Sequence, residues 1–185
     1  NVPFIKVQSA GIAFSDVDQN GTPDLILTGQ ATSGIISAVL YLNDGAGNFV
    51  QQTDTTFDPV TGSNIAVADV DGDGIDDILT AGLNRMLDPI AKLYTNDGQG
   101  NFTLRDGTPF TQVDRSSVAF GDVNGDMFQD LLISGRNNRN TPVAEMYLND
   151  GTGEFFEEIT TPFEGVAFSS VALVDLNTNS TLEAF

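Results

Sequence analysis

The chain has 185 residues, enough for one sizeable domain with a core of its own, and sets 7 Lys and Arg against 26 Asp and Glu for a formal charge of −19. That balance argues against nucleic-acid phosphates and anionic membrane surfaces as partners, and no apolar run reaches the ~18 residues of a spanning helix. Cysteine, histidine and tryptophan are absent, which removes disulfides, thiol chemistry, Ser-His and Cys-His nucleophile pairs and most transition-metal ligand sets.

The first predicted strand is GIAFSD (11–16), which runs into the acidic nonapeptide DVDQNGTPD (16–24). A second strand leaves it as DLILTG (24–29), a third ends in AVLYLN (38–43), and a fourth, NFVQQT (48–53), leaves an N-D-G turn. The same four strands recur as IAVAD, DILTAG, AKLYTN and NFTLRD, and again as SVAFGD, DLLISG, AEMYLN and EFFEEI. A last first-strand, SVALVD, leads into DLNTNSTLE. The nonapeptides begin at Asp16, Asp69, Asp122 and Asp175, a constant step of 53 residues that also relates Phe4, Phe57, Phe110 and Phe163. No segment keeps a 3.6-residue apolar period, so almost no helix is expected. Four short antiparallel strands per repeat predict an all-β fold, a β-propeller of about 3.5 blades. Their bounds are 1–53, 54–106 and 107–159, with a half-blade at 160–185. Asn1 is not a start methionine, so a processed or trimmed chain is expected.

In D-x-D-x-D-G-x-x-D, positions 1, 3, 5 and 9 turn oxygen ligands toward one centre, position 7 offers its carbonyl, and position 6 bends. The candidate Ca2+ ligands are therefore Asp16, Asp18, Asn20, Thr22 and Asp24 in the first loop. In the second they are Asp69, Asp71, Asp73, Ile75 and Asp77, and in the third Asp122, Asn124, Asp126, Phe128 and Asp130. Gly21 and Gly74 suit the bend, whereas Met127 predicts strain there. The fourth loop offers a weaker set, Asp175, Asn177, Asn179 and Glu183. About three ions per chain are expected, with a fourth at the weaker set. Plain acidic turns would explain one such loop, but facing carboxylates repel unless a cation intervenes, and three copies share one register. Magnesium fits a flexible many-oxygen cage less well than calcium. An EF-hand would close with Glu at position 12 and enter a helix; here Asp at position 9 enters a β-run.

Together, AFSDVDQNGTPDLILTG, IAVADVDGDGIDDILTAG and SVAFGDVNGDMFQDLLISG, each followed by Y-x-N-D-G-x-G-x-F, resemble FG-GAP/VCBS-type repeats. These are the calcium-binding blades of integrin α-subunit propellers and many secreted bacterial proteins. The resemblance implies calcium in the loop between first and second strands and an extracellular or cell-surface, secreted location. Only Phe120-Gly121 keeps the literal Phe-Gly, and a Gly-Ala-Pro segment is missing, which counts against integrin-like ligand recognition.

Strand alternation puts the acidic loops and N-D-G turns on one rim, and the second-to-third strand loops and linkers on the other. The second rim takes most of the basic residues and is the expected ligand face, with Lys6, Arg85, Met86, Arg115, Arg136 and Arg139 as candidates. A protein or glycan is the expected ligand of a non-catalytic binding or adhesion module. The alternatives are a carboxylate-dependent glycan hydrolase or lyase, tested at non-loop acids such as Asp88 or Glu145, and a structural spacer or fragment. Closed propellers need roughly 4–8 blades, so self-association is expected, with a homodimer giving about seven blades.

Overall fold

The structure, a computed structural model, describes residues 4–52, 55–175 and 182–184. Its first sheet joins β1 (Val7–Ser15), β2 (Asp24–Ala31), β3 (Ile36–Asn43) and β4 (Phe49–Gln51) in sequential antiparallel order. The second joins β5 (Thr61–Ala68), β6 (Asp77–Leu83), β7 (Pro89–Asn96) and β8 (Phe102–Leu104). The third joins β9 (Val113–Gly121), β10 (Asp130–Asn137), β11 (Pro142–Asn149) and β12 (Phe155–Glu158). A short pair, β13 (Leu173–Val174) and β14 (Glu183–Ala184), opens a fourth. No helix occurs among the described residues. These are three propeller blades and the start of another, in an arc that does not close.

The second strand of each blade is buried on both faces, which is why DLILTG, DILTAG and DLLISG read as continuous apolar runs instead of alternating. Alternate faces feed different cores. Val17, Ile26 and Leu40 meet Ile65, Ile78 and Phe57 between blades 1 and 2. Leu79, Leu93 and Val70 meet Val118, Leu131 and Phe110 between blades 2 and 3. At roughly 1.5–3 kcal/mol per fully buried aliphatic side chain, these seams hold the arc together.

The repeated aromatics clamp each linker to its own blade. Tyr41, Tyr94 and Tyr147 are buried, and their hydroxyls accept the backbone N–H of Ile5, Asp58 and Thr111 at 2.9, 3.0 and 2.9 Å. Phe4, Phe57 and Phe110 pack edge-on against those tyrosines and against Phe49, Phe102 and Phe155. Burial raises the phenol pKa of Tyr94 and Tyr147, keeping both as neutral donors and acceptors.

Each first strand carries a bulge near its start, where pairing slips between Gln8 and Gly11, between Thr61 and Asn64, and opposite Ser134 and Arg136. Residues of positive φ sit there at the 53-residue step: Ser9, Gly62 and Arg115, with Phe168 at the equivalent place before β13. The bulge crowds the facing second strand. A Cβ at Gly82 would lie 2.7 Å from the Ser63 Cβ and 2.9 Å from the Thr61 carbonyl oxygen.

Candidate metal centre

The three acidic loops share one hydrogen-bonding scheme. The position-1 carboxylate accepts the position-6 N–H, Gly21 to Asp16 at 2.8 Å, Gly74 to Asp69 at 2.9 Å and Met127 to Asp122 at 2.8 Å. The position-5 side chain accepts the position-7 N–H, from Thr22 to Asn20, Ile75 to Asp73 and Phe128 to Asp126. Position 9 is buried and ties the loop to the hairpin turn of its blade. Asp24 accepts from Val17 and Asn43 N–H at 3.0 and 2.7 Å, Asp77 from Val70 and Asn96 at 3.3 and 2.9 Å, and Asp130 from Val123 and Asn149 at 3.0 and 2.9 Å.

Carboxylate oxygens of Asp16, Asp18 and Asp24 come within 4.8 Å of one another, as do those of Asp69, Asp71 and Asp77. Positions 1, 3 and 9 thus converge in loops 1 and 2. Asp73 lies outside that set and is exposed, and Asn20 turns its amide to the Asn43 carbonyl at 2.9 Å. In loop 3 position 3 is Asn124, whose amide donates to Asp126 at 2.8 Å, so three carboxylates do not gather there. In the fourth loop Val174 pairs with Glu183, the register of Ser15 with Asp24, Ala68 with Asp77 and Gly121 with Asp130. Asn177 and Asn179 lie outside the described residues.

A cation fits loop 2. Asp71 Oδ1 is buried and has no hydrogen-bond partner, so a hard-oxygen acceptor beside two more carboxylates lacks its counter-charge. Burial pushes the Asp77 carboxyl up to about 7; N–H bonds from Asn96 and Val70 oppose this, and the Asp71 and Asp73 charges add to it. Burial likewise raises Asp24 and Asp130 above the ordinary carboxylate range. All three keep both oxygens on backbone N–H groups, which fixes their orientation toward the loop.

The bend at position 6 takes positive φ in each loop, with 87° at Gly21, 85° at Gly74 and 73° at Met127, so the strain expected of Met127 is present. Position 4 bends in the same way, at Gln19, Gly72 and Gly125, a feature the D-x-D-x-D-G pattern does not show. The larger omission concerns the turn asparagines. Asn96 Nδ2 donates to the Val17 carbonyl at 3.0 Å and Asn149 Nδ2 to the Val70 carbonyl at 2.8 Å. Each therefore latches its blade to the acidic loop of the blade before. The 53-residue recurrence of Asn43, Asn96 and Asn149 was the available signal.

A profile of the FG-GAP-like repeat matches residues 16–80, about a third of the chain. Over those residues the chain is similar to an FG-GAP-like repeat. They run from the first acidic loop through the second and into β6, so the matched segment holds both carboxylate sets. The third sheet, outside the matched residues, repeats the first two strand for strand and in register. A search of curated proteins finds no match. No helix among the described residues is long and apolar enough to cross a membrane.

On the opposite rim the basic candidates separate. Lys6, Arg85, Met86 and Arg139 are exposed, and Arg85 Nε donates to the Ile36 carbonyl at 3.1 Å. Arg115 and Arg136 are half-buried and share one acid that the sequence reading passed over. Asp114, only 4% exposed, takes Arg115 Nη1 at 2.5 Å and a two-point contact from Arg136, Nε at 3.1 Å and Nη2 at 2.9 Å.

Proposed function

We propose that this chain is a calcium-stabilised, non-catalytic binding module of an extracellular protein, recognising a protein or glycan through the rim away from its acidic loops. The observation that carries the metal part is the unpartnered, buried Asp71 oxygen among the converging carboxylates of loop 2. Loop 1 gathers the same three positions. A cation there neutralises carboxylates that backbone N–H bonds already hold in place, so its effect is to stiffen the loop and, through the turn asparagines, the seam between blades. The binding part is supported by the separation of roles: acidic loops on one rim, and loops of differing sequence with most of the basic side chains on the other.

Self-association belongs to the same reading. Ile12 on β1 is 57% exposed, whereas its repeat equivalents Ile65 and Val118 are buried against the preceding blade; Phe14 is 60% exposed, whereas its equivalents Val67 and Phe120 are half-buried there. The free face of blade 1 suits another blade of this kind, which a second copy supplies.

Thermal unfolding in millimolar calcium and in excess chelator tests the metal part. At free calcium ~100 times the dissociation constant each occupied site adds about 2.7 kcal/mol, so a clear rise in Tm is expected. Equal Tm in both buffers refutes it. Light-scattering mass in the same buffers tests association, with a two-chain mass expected and a single-chain mass excluding it.

A further inference from the structure

We infer that the open cavity at the starts of β1, β5 and β9 is a binding site for a carboxylate-bearing saccharide, with Arg115 taking the carboxylate and Phe168 the sugar face. This rests on the proposed binding role and names its ligand class and position.

The cavity has a volume of about 570 Å³, within the ~300–1,000 Å³ range of small-molecule sites. It lies on the rim opposite the acidic loops, walled by the bulge residues Ser9, Gly62 and Arg115 and by Phe168 at the equivalent place in the fourth repeat, with Leu83 and Leu87 at its side. Its chemistry is mixed in the way a pyranose requires. Phe168 and Leu87, 79% and 64% exposed, offer apolar surface for C–H faces. Ser9 and Gln30 offer polar groups, and the Ser63 hydroxyl in the wall is buried without a hydrogen-bond partner.

The charge is placed by construction. Asp114 is one carboxylate held between two guanidiniums, Arg115 and Arg136, which leaves a surplus positive charge at the cavity edge of a chain whose net charge is −19. Two other cations are already neutralised, Lys92 by Asp58 and Arg105 by Glu154. The Arg115 guanidinium stands 4.7 Å from the Phe168 ring centroid, so the cation and the ring form one platform. Arg136 spends Nε and Nη2 on Asp114, whereas Arg115 gives it Nη1 and keeps further N–H groups for an incoming carboxylate.

Backbone conformation supplies an independent argument. The bulge position needs positive φ, and Gly62 meets it at 58° without strain. Arg115 at 49° and Phe168 at 57° adopt the same conformation, which their side chains disfavour. Glycine would serve the fold at both places. What arginine and phenylalanine add is the platform over the cavity.

The test is calorimetric titration of the calcium-loaded chain with glucuronate- and galacturonate-based tetrasaccharides and their carboxyl-reduced forms, repeated on Arg115→Gly and Phe168→Gly. At least one uronate is expected to bind, with its reduced form at least tenfold weaker. Arg115→Gly should lose tenfold or more in affinity while the chain stays folded, because it copies the backbone of Gly62 and Asp114 keeps its two-point contact with Arg136. Equal binding of acid and reduced forms, or no uronate binding, overturns the assignment. Uronate binding untouched by Arg115→Gly also overturns it, while leaving the broader binding role standing with the ligand elsewhere on the rim. Retention of a neutral glycan or a protein, with no uronate bound, separates the two in the same way.

Discussion

Replacing Asn149 by alanine isolates the latch between blades. The residue is 3% exposed, and its amide donates to the carbonyls of Val70 at 2.8 Å and Gln129 at 3.2 Å. Its Oδ1 accepts the N–H groups of Gly151 and Gly153 at 3.1 and 3.2 Å. Truncation strips all these groups of a partner. At roughly 0.5–1.5 kcal/mol net per hydrogen bond, and more where a buried group is left bare, the cost is about 3 kcal/mol. Asn43→Ala is the internal control. Asn43 makes the turn contact to Gly45 and donates to Pro23 of its own blade, in a half-exposed setting and with no bond to another blade among the described residues, so about 1 kcal/mol is expected. Urea unfolding followed by fluorescence and circular dichroism, with calcium fixed, measures both. A latch also couples neighbours, so Asn149→Ala should broaden the transition or split it between probes. If the two variants differ by less than 1 kcal/mol and unfold with equal sharpness, the seam does not depend on this residue.

Met127→Gly should stabilise the chain: the side chain is 86% exposed and sits at φ 73°, where relief of about 1–2 kcal/mol outweighs the ~0.5–1 kcal/mol entropic cost of glycine. A lower urea midpoint than wild type would contradict this. Gly82→Ala should cost about 2 kcal/mol or more, since the new methyl meets Ser63 and the Thr61 carbonyl closer than van der Waals contact; an unchanged midpoint would show that the bulge yields. Hydrogen bonds from the Asn101 side chain and from the Gln99 and Asn101 N–H groups lower the Asp97 pKa. A depressed carboxyl contributes stability that is present above its unfolded value of about 3.8 and is lost as pH falls through the folded value. The stability gap between wild type and Asp97→Asn should therefore close on acidification below about pH 4, and a gap that widens there reverses the assignment.

The blades were legible because a repeat states its own alignment. Once Asp16, Asp69 and Asp122 fall in register, the runs around them need only be read once, and continuous DLILTG-type strands mark burial on both faces. The bends at Gly21 and Gly74, and the strain at Met127, followed from the loop pattern. What escaped were features that depend on a neighbour. Asn96 and Asn149 look like ordinary turn residues until the preceding blade is placed beside them. Asp114 reads as a linker acid, yet folding buries it between Arg115 and Arg136. The positive φ at Ser9, Arg115 and Phe168 arises from a bulge that no glycine announces, since only blade 2 has one at that place.

Because the turn asparagine reaches backward, the repeat has a polarity that its strand order alone does not reveal. Val17 and Val70, whose carbonyls receive Asn96 and Asn149, are fully buried, whereas Val123 in the third loop is only half-buried. Each acidic loop is thus completed by the blade that follows it. Ion affinity should then grade along the array by succession as well as by ligand set. Trimming a blade from the C-terminal side would loosen the loop just before it, while trimming from the N-terminal side would leave the next loop's own carboxylates and latch in place. The asparagine latch of such an array therefore runs in one direction only.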